Sequence, residues 1–178
     1  MIELLIMAIS KKVIKFLDKS KTKYEIIDHR TVFTAFDKSK TLKEKTNIIG
    51  KTLVLKISPK EIVIVLIPGD KNLDKVKIKK IINIQRKKEG SKTIKKLEFA
   101  SERLMKSRLK GMKIGAIIPF GNLFKVPTFV NKSLLNKKKI ILNSGRHNQS
   151  IVIRGGDLEK IVIDLIKGSF VKPRKKRG

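Results

Sequence analysis

The chain has 178 residues, 40% of them hydrophobic, which predicts one folded domain rather than a disordered segment. It has no cysteine, which excludes disulfides, a thiol nucleophile and thiolate metal sites. The 44 Lys and Arg against 15 Asp and Glu give a formal net charge of +29, which favours a polyanionic partner. AT-rich codon usage explains the choice of lysine over arginine, but it explains the scarcity of acids less well.

The apolar runs are too short for a membrane span. The longest, residues 62–68, is about a third of the roughly 20 residues that a bilayer requires. The apolar start of the chain precedes Lys11 and Lys12, the reverse of the order in a signal peptide. We therefore expect a cytoplasmic protein that does not associate with membranes.

The first half of the chain predicts two helices and three strands. A helix is expected over residues 10–17 with Ser10 as its N-cap, followed by a strand at 24–28. A polar helix over 34–45 begins with a capping threonine. Strands at 51–57 and 61–67, joined by Ser-Pro-Lys, indicate a hairpin. Because the second strand is apolar at successive positions, we expect both of its faces to be buried.

The second half predicts shorter elements and two basic segments. Between residues 71 and 96 there are eleven Lys or Arg and two acids, and an imperfect helical period runs over 72–85. The remaining predicted elements are strands at 94–99, 113–118, 128–130, 139–142 and 150–153, helices at 101–107 and 157–166, and a basic tail.

The order of these elements indicates the fold class. About seven or eight strands are interspersed with four or five helices, without the βαβ alternation of a doubly wound sheet. We therefore predict an α+β fold whose mixed, mainly antiparallel sheet is closed or nearly closed into a barrel, with helices outside. We see no interdomain linker, so residues 1–178 are expected to form a single domain with a flexible basic tail at 172–178.

The usual catalytic motifs are absent. The sequence has no P-loop and no GxSxG elbow, and a Ser144–His147 nucleophile–base pair lacks support. His29 and His147 are weak candidates for catalysis and too few for a histidine-rich metal site. One Tyr and no Trp also argue against an RNA-binding module built on aromatic stacking.

Three segments in a fixed order suggest a family instead. They are the strand start Lys51-Thr52-Leu53, the loop GAIIP at 115–119, and a late stretch from Ser144-Gly145 to Asp157-Leu158. In this order they resemble the YbaK/prolyl-tRNA-synthetase-associated editing family, over residues 13–166. Asn131 is a departure, because the family often has aspartate there.

The resemblance implies a compact, barrel-like fold and an aminoacyl-tRNA deacylase that hydrolyses mischarged tRNA in trans. Its ester substrate is already activated, so hydrolysis requires little beyond orientation and stabilised oxyanion charge. The resemblance implies Lys51 as the catalytic residue. It also implies a substrate pocket shaped by the loop and the late glycine turn: Gly115, Ala116, Ile117, Ile118, Pro119 and Gly145.

We expect the tail to hold tRNA phosphates through Lys172, Arg174, Lys175, Lys176 and Arg177. The expected partners are the aminoacylated acceptor end of tRNA and, beyond it, an aminoacyl-tRNA synthetase or elongation factor; we expect no metal or cofactor. The alternative is a non-catalytic, basic RNA- or ribosome-binding protein on the same fold. The sequence leaves open which amino acid and tRNA are edited, and whether His29 or Asn131 contributes to the pocket.

Overall fold

The computed structural model describes residues 2–173 and Lys175, with side chains from residue 11 onward. Its helices are Ile2–Lys19 (α1), Ala35–Leu42 (α2), Lys75–Lys88 (α3), Glu102–Arg108 (α4), Lys132–Leu135 (α5) and Leu158–Ile161 (α6). Its strands are Tyr24–Asp28 (β1), Gly50–Lys56 (β2), Ile62–Pro68 (β3), Lys71–Leu73 (β4), Glu98–Phe99 (β5), Thr128–Asn131 (β6), Ile140–Asn143 (β7), Gln149–Ile153 (β8), Ile166–Gly168 (β9) and Val171–Pro173 (β10).

The strands form three sheets. A five-stranded sheet has the order β5-β2-β3-β6-β9, a three-stranded sheet has the order β1-β8-β7, and β10 pairs with β4. Only the β3–β6 and β6–β9 pairings are parallel among the described strands, so the mainly antiparallel prediction is confirmed. A single parallel bridge, Ile49 to Ile141, connects the two larger sheets.

The predicted closure into a barrel is wrong. The five-stranded sheet ends in β5, which has two residues, and in β9, which has three. Such short edge strands leave too few backbone groups to pair with a further sheet, so the larger sheets stay open. The mixed α+β character of the prediction is correct.

The β2–β3 hairpin lies at the centre of the molecule. Gly50 pairs with Pro68 and Lys56 with Ile62, as the hairpin prediction required. Every residue of β3 is buried. Alternate side chains enter two cores: Ile64 packs with one apolar cluster, and Val65 packs with another that includes Ile78 and Ile82 of α3. Burial on both faces is therefore confirmed, and each such side chain contributes about 1.5–3 kcal/mol.

Capping side chains start three helices. Thr34 Oγ1 accepts a hydrogen bond from the Asp37 amide, and Ser101 Oγ accepts one from the Leu104 amide, both as predicted. Helix α3 starts later than predicted, because the Asp74 carboxylate caps it and residues 71–73 form β4. The predicted cap at Ser10 is wrong, since α1 starts at Ile2 and Ser10 lies inside it.

Two elements predicted in the C-terminal half of the chain are also wrong. Residues 113–118 form a loop rather than a strand; Ile117 and Ile118 are buried in the core, but they pack there without strand pairing. The helix predicted over 157–166 is limited to α6, and Ile166 opens β9 beside Phe129. Both segments are apolar enough for a regular element, but they pack in the core as short or irregular pieces.

The basic tail begins later than predicted. Lys172 and Pro173 belong to β10, where Lys172 lies opposite Asn72 of β4. Lys175 is exposed, and residues 174 and 176–178 lie outside the described part of the chain. No helix within the described residues is both long enough and apolar enough to cross a membrane.

Candidate active site

A cleft of about 1080 Å³ is the largest cavity we describe in the molecule. Its walls are the segment that leads into α2, the first residues of β2, the loop at Gly115 and the turn between β7 and β8. These four segments are far apart in the sequence. The fold brings them together because β2 and β7 approach each other at the Ile49–Ile141 bridge.

Lys51 lies in this cleft, on the second residue of β2. It pairs across the hairpin with Ile67, and its Nζ donates a 2.6 Å hydrogen bond to the carbonyl of Lys71. The side chain is partly buried. The strand therefore fixes the lysine at the cleft wall, where sequence reasoning expected a lysine at a strand start.

The Gly115 loop lines the same cleft with Gly115 and Ala116. Gly115 has a φ of +85°, which only glycine adopts readily, and a Cβ there would lie 3.2 Å from Cε1 of His147. The Ala116 carbonyl accepts a 2.9 Å hydrogen bond from the amide of Gly145, itself at a φ of +91°. Gly145 therefore braces the loop without lining the cleft.

The other predicted loop residues do not line the cleft. Ile117 and Ile118 are 4% and 0% exposed and belong to a core cluster, and Pro119 is buried beside them. Ile117 affects the site through its backbone: its carbonyl accepts a 3.2 Å hydrogen bond from Nδ2 of Asn143. Backbone positions 115–116, rather than the whole GAIIP segment, shape the cavity.

A second lysine, which the sequence analysis missed, lies beneath the cleft. Lys38 of α2 is only 6% exposed, and its Nζ donates a 2.7 Å hydrogen bond to Oδ1 of Asn143. Burial lowers the pKa of Lys38 to about 8. No carboxylate within the described residues forms an ion pair with it. Lys38, Asn143 and the Ile117 carbonyl form a chain of hydrogen bonds from α2 to the loop.

His147 also lies in the cleft, on the turn between β7 and β8. Its ring packs against Phe33 with centroids 4.7 Å apart, and its Nδ1 is buried without a hydrogen-bond partner. Burial lowers the pKa of His147, and the charges of Lys113 and Lys38 act in the same direction against two backbone hydrogen bonds. Burial therefore favours the neutral form of the imidazole. Sequence reasoning ranked this histidine low because a turn position by itself gives no sign of a cavity.

The electrostatics of the cleft are strongly positive. The cations along it are Lys38, Lys51, Arg146 and Lys175, against one lining carboxylate, Asp37, among the described residues. That carboxylate accepts a 2.8 Å hydrogen bond from the hydroxyl of Thr34 and belongs to the cap of α2. The cleft therefore suits an anionic ligand, and its ammonium groups and backbone amides suit developing negative charge.

A family comparison identifies what this arrangement belongs to. Residues 29–161, which contain every cleft segment just described except Lys175, match the model of the aminoacyl-tRNA editing domain. The chain belongs to the aminoacyl-tRNA editing domain family. The resemblance seen in the sequence is thereby confirmed, and with it the enzyme class, an aminoacyl-tRNA deacylase.

Similar proteins agree with this assignment. The chain is 32% identical over 155 residues to the prolyl-tRNA editing protein ProX of Acetoanaerobium sticklandii, covering 84% of this chain and 88% of that protein. In fold it is similar to the hypothetical protein APE2540, with a TM-score of 0.72, 19% identity, and coverage of 90% and 99% of the two chains. It is also similar to a proposed trans-editing enzyme for prolyl tRNA synthetase, with a TM-score of 0.69, 16% identity, and coverage of 92% and 97%.

Other candidate residues of this editing domain lie outside its cleft. His29 hydrogen-bonds Oγ of Ser150 at 2.9 Å, and Asn131 accepts a 3.1 Å hydrogen bond from the Phe170 amide, so both support the fold. Ser144 Oγ donates to the carbonyl of Gln149, so it does not pair with a histidine as a nucleophile would. No group of three or more metal-ligating side chains occurs among the described residues.

The tail residues predicted to bind tRNA are only partly placed. Lys175 is exposed at the cleft, and Lys172 lies on β10 beside a separate groove. Arg174, Lys176 and Arg177 lie outside the described residues of the editing domain.

Proposed function

We propose that this protein hydrolyses, in trans, the ester between a mischarged amino acid and its tRNA, using Lys51 and the Gly115 loop. One observation carries the proposal: these two segments, distant in sequence, line the same electropositive cleft. A protein that only bound RNA would gain affinity from surface cations and would not require a lysine and a glycine loop in one cleft.

The chemistry requires a water molecule and stabilised charge. Water attacks the ester carbonyl carbon, the bond to the ribose oxygen breaks, and that oxygen leaves with a proton. In the transition state the carbonyl oxygen becomes negative. We assign the stabilisation of this charge to the Lys51 ammonium and to backbone amides near Gly115. Removing one such donor typically costs about 100- to 1000-fold in rate.

The name of the ProX relative supports a specific tRNA. Because that protein is a prolyl-tRNA editing protein, we propose tRNAPro as the substrate tRNA of this chain. Aminoacyl-tRNA passes between synthetase and elongation factor during translation, so we propose contact with one of these proteins. We place the protein in the cytoplasm for the same reason.

The experiment is a panel of tRNAs, tRNAPro first, each charged with different amino acids and incubated with catalytic amounts of protein. The proposal is supported if the wild type hydrolyses the ester of at least one mischarged tRNA and Lys51→Ala does not. Binding of tRNA with every ester intact would instead support the alternative, a non-catalytic RNA- or ribosome-binding protein, which the net charge of +29 also favours.

A further inference from the structure

A second groove, of about 330 Å³, adjoins the cleft at Lys51, which lines both cavities. The groove is also lined by Phe99 of β5, Lys75 of α3 and Lys172 of β10. The chemistry proposed for the cleft makes no use of this groove.

Phe99 is the unusual feature of the groove. Its side chain is 53% exposed, although it pairs through its backbone with Leu55 in the interior of the sheet. Phe99 also lines a depression of about 650 Å³, together with Lys56 and Arg103. The residue therefore borders two open cavities, with about half of its surface in contact with solvent.

The charges around this ring favour a polyanion. Lys75 Nζ lies over one face of the ring, 4.7 Å from its centroid, so a base would stack on the other face. Lys172, Lys56 and Arg103 line the two cavities. The acids lining them have partners already. The Asp74 carboxylate accepts hydrogen bonds from the first amides of α3, and Glu98 pairs with Lys96 at 2.8 Å.

An exposed aromatic ring beside cations is the combination that binds single-stranded nucleic acid. A base stacks on the ring and the cations neutralise the flanking phosphates. Single exposed apolar residues are common on proteins and require no explanation. Phe99 differs because it lies on a cationic groove that leads to the proposed catalytic lysine.

We propose that this groove binds the single-stranded 3′ end of tRNA, with one base stacked on Phe99 and phosphates held by Lys75 and Lys172. The bound strand directs its aminoacylated terminal nucleotide into the cleft at Lys51. This inference rests on the proposed function for its direction, but the binding it describes requires no catalysis.

The test measures the dissociation constant of uncharged tRNAPro, with and without its single-stranded 3′-terminal nucleotides. Phe99→Ala should weaken binding of the complete tRNA roughly 5- to 150-fold, the range for losing one stacked base. Phe99→Trp, which keeps a stacking surface, should bind like the wild type. Ile163→Ala, which removes an even more exposed apolar side chain outside both cavities, should change nothing.

The truncated tRNA decides whether the 3′ end is the ligand. Removing those nucleotides should weaken binding to the wild type more than binding to Phe99→Ala, because the stacking interaction is already absent from the variant. If Phe99→Ala binds complete tRNA as tightly as the wild type, or if truncation weakens both proteins equally, the proposal is overturned.

Failure of this inference differs from failure of the proposed function. The binding arms use uncharged tRNA, so they give a result even if the wild type hydrolyses no ester. If it does hydrolyse esters, an aminoacyl ester of adenosine, which does not reach the groove, should be cleaved equally by the wild type and Phe99→Ala. If Phe99→Ala loses as much activity on this small ester as on charged tRNA, Phe99 supports the structure of the cleft itself, and the proposed binding of the 3′ end in the groove is contradicted.

Discussion

Lys38 illustrates how much a single residue of this site depends on its surroundings. It is one of 36 lysines, on a helix whose sequence is mostly polar, so no sequence pattern distinguishes it. Only the packing of α2 against β7 reveals that its charge is buried and bonded to Asn143. Burying an ammonium group without a carboxylate partner is unfavourable for folding. Buried charges of this kind typically occur at functional sites.

The lowered pKa of Lys38 makes its cost to stability depend on pH. Below about pH 8 the lysine is protonated in both the folded and the unfolded state, so folding bears the full desolvation penalty. As pH rises from about 8 towards the ordinary value of 10.5, the folded state has lost its proton while the unfolded chain keeps it, and the penalty shrinks. The stability of the wild type should therefore rise by about 2–3 kcal/mol between pH 7 and 10, relative to Lys38→Met.

Urea unfolding of the two proteins at several pH values measures this difference. Lys40→Met is the matched control, since Lys40 is exposed on the same helix and its charge stays in solvent. A constant difference in unfolding free energy between wild type and Lys38→Met across the pH range would show that Lys38 is not the buried cation described here.

Both Lys38 and Lys51 line the cleft, but only Lys51 is proposed to stabilise charge on the ester carbonyl oxygen. Lys51→Ala should reduce deacylation about 100-fold by removing one electrostatic donor. The free energy of unfolding should change by about 1 kcal/mol or less, because a partly buried strand-end lysine contributes little packing. Lys60→Ala, in the exposed hairpin turn, should be fully active. Turnover by Lys51→Ala within threefold of the wild type would exclude the catalytic role.

At the scale of elements, the sequence predicted the longer strands well, but it missed β4, β9 and β10, made β5 too long and mistook the Gly115 loop for a strand. Strand β1 and the hairpin were predictable because their strands are rich in β-branched residues, and because a turn that contains proline joins the two strands of the hairpin. Residues 113–118 carry the same apolar signal, but Ile117 and Ile118 use it to anchor a loop in the core. A local pattern of apolar residues predicts that they are buried, but it does not predict whether a neighbouring strand pairs with them.

The Gly115 loop gives the prediction for this scale. Gly115→Val should abolish deacylation, because a β-branched residue is strained at a φ of +85° and its side chain would meet His147. Pro119→Ala should be milder, since Pro119 does not line the cleft. Activity is measured on mischarged tRNA, with circular dichroism to confirm folding.

Gly90→Val is the control that separates the effect of backbone strain from the effect of a side chain at the cleft. Gly90 has a similar φ of +71°, but a Cβ there would meet nothing within 4 Å. This variant should lose some stability and keep its activity. Normal turnover by a folded Gly115→Val protein would remove the loop from the site.

At the scale of the whole molecule, cations line each of the three cavities described above. These are the cleft, the groove at Phe99 and the depression that Phe99 also lines, and helix α3 is itself basic. Composition predicted a polyanionic partner without locating its binding surface. The aromatic ring at the groove was also missed, because a lone phenylalanine in a two-residue strand has no recognisable pattern.

The tail gives the last prediction, and β10 sets where it begins. Because Lys172 and Pro173 belong to β10, a deletion should begin at residue 174, so that the pairing with β4 is kept. It removes four cations: Arg174, Lys175, Lys176 and Arg177. If they neutralise tRNA phosphates, the slope of log affinity against log salt should become shallower by up to about 0.7–0.9 for each phosphate that is no longer neutralised.

A matched variant keeps the chain length and replaces the same four residues by glutamine. It should reproduce the shallower slope of the deletion, because the effect depends on charge and counterion release rather than on the length of the chain. Affinity should fall for every tRNA alike, since phosphate contacts carry no sequence information. Equal slopes for the full-length, deleted and glutamine-substituted proteins would show that these four residues do not contact the RNA, and would leave tRNA binding to the cleft and the groove at Phe99.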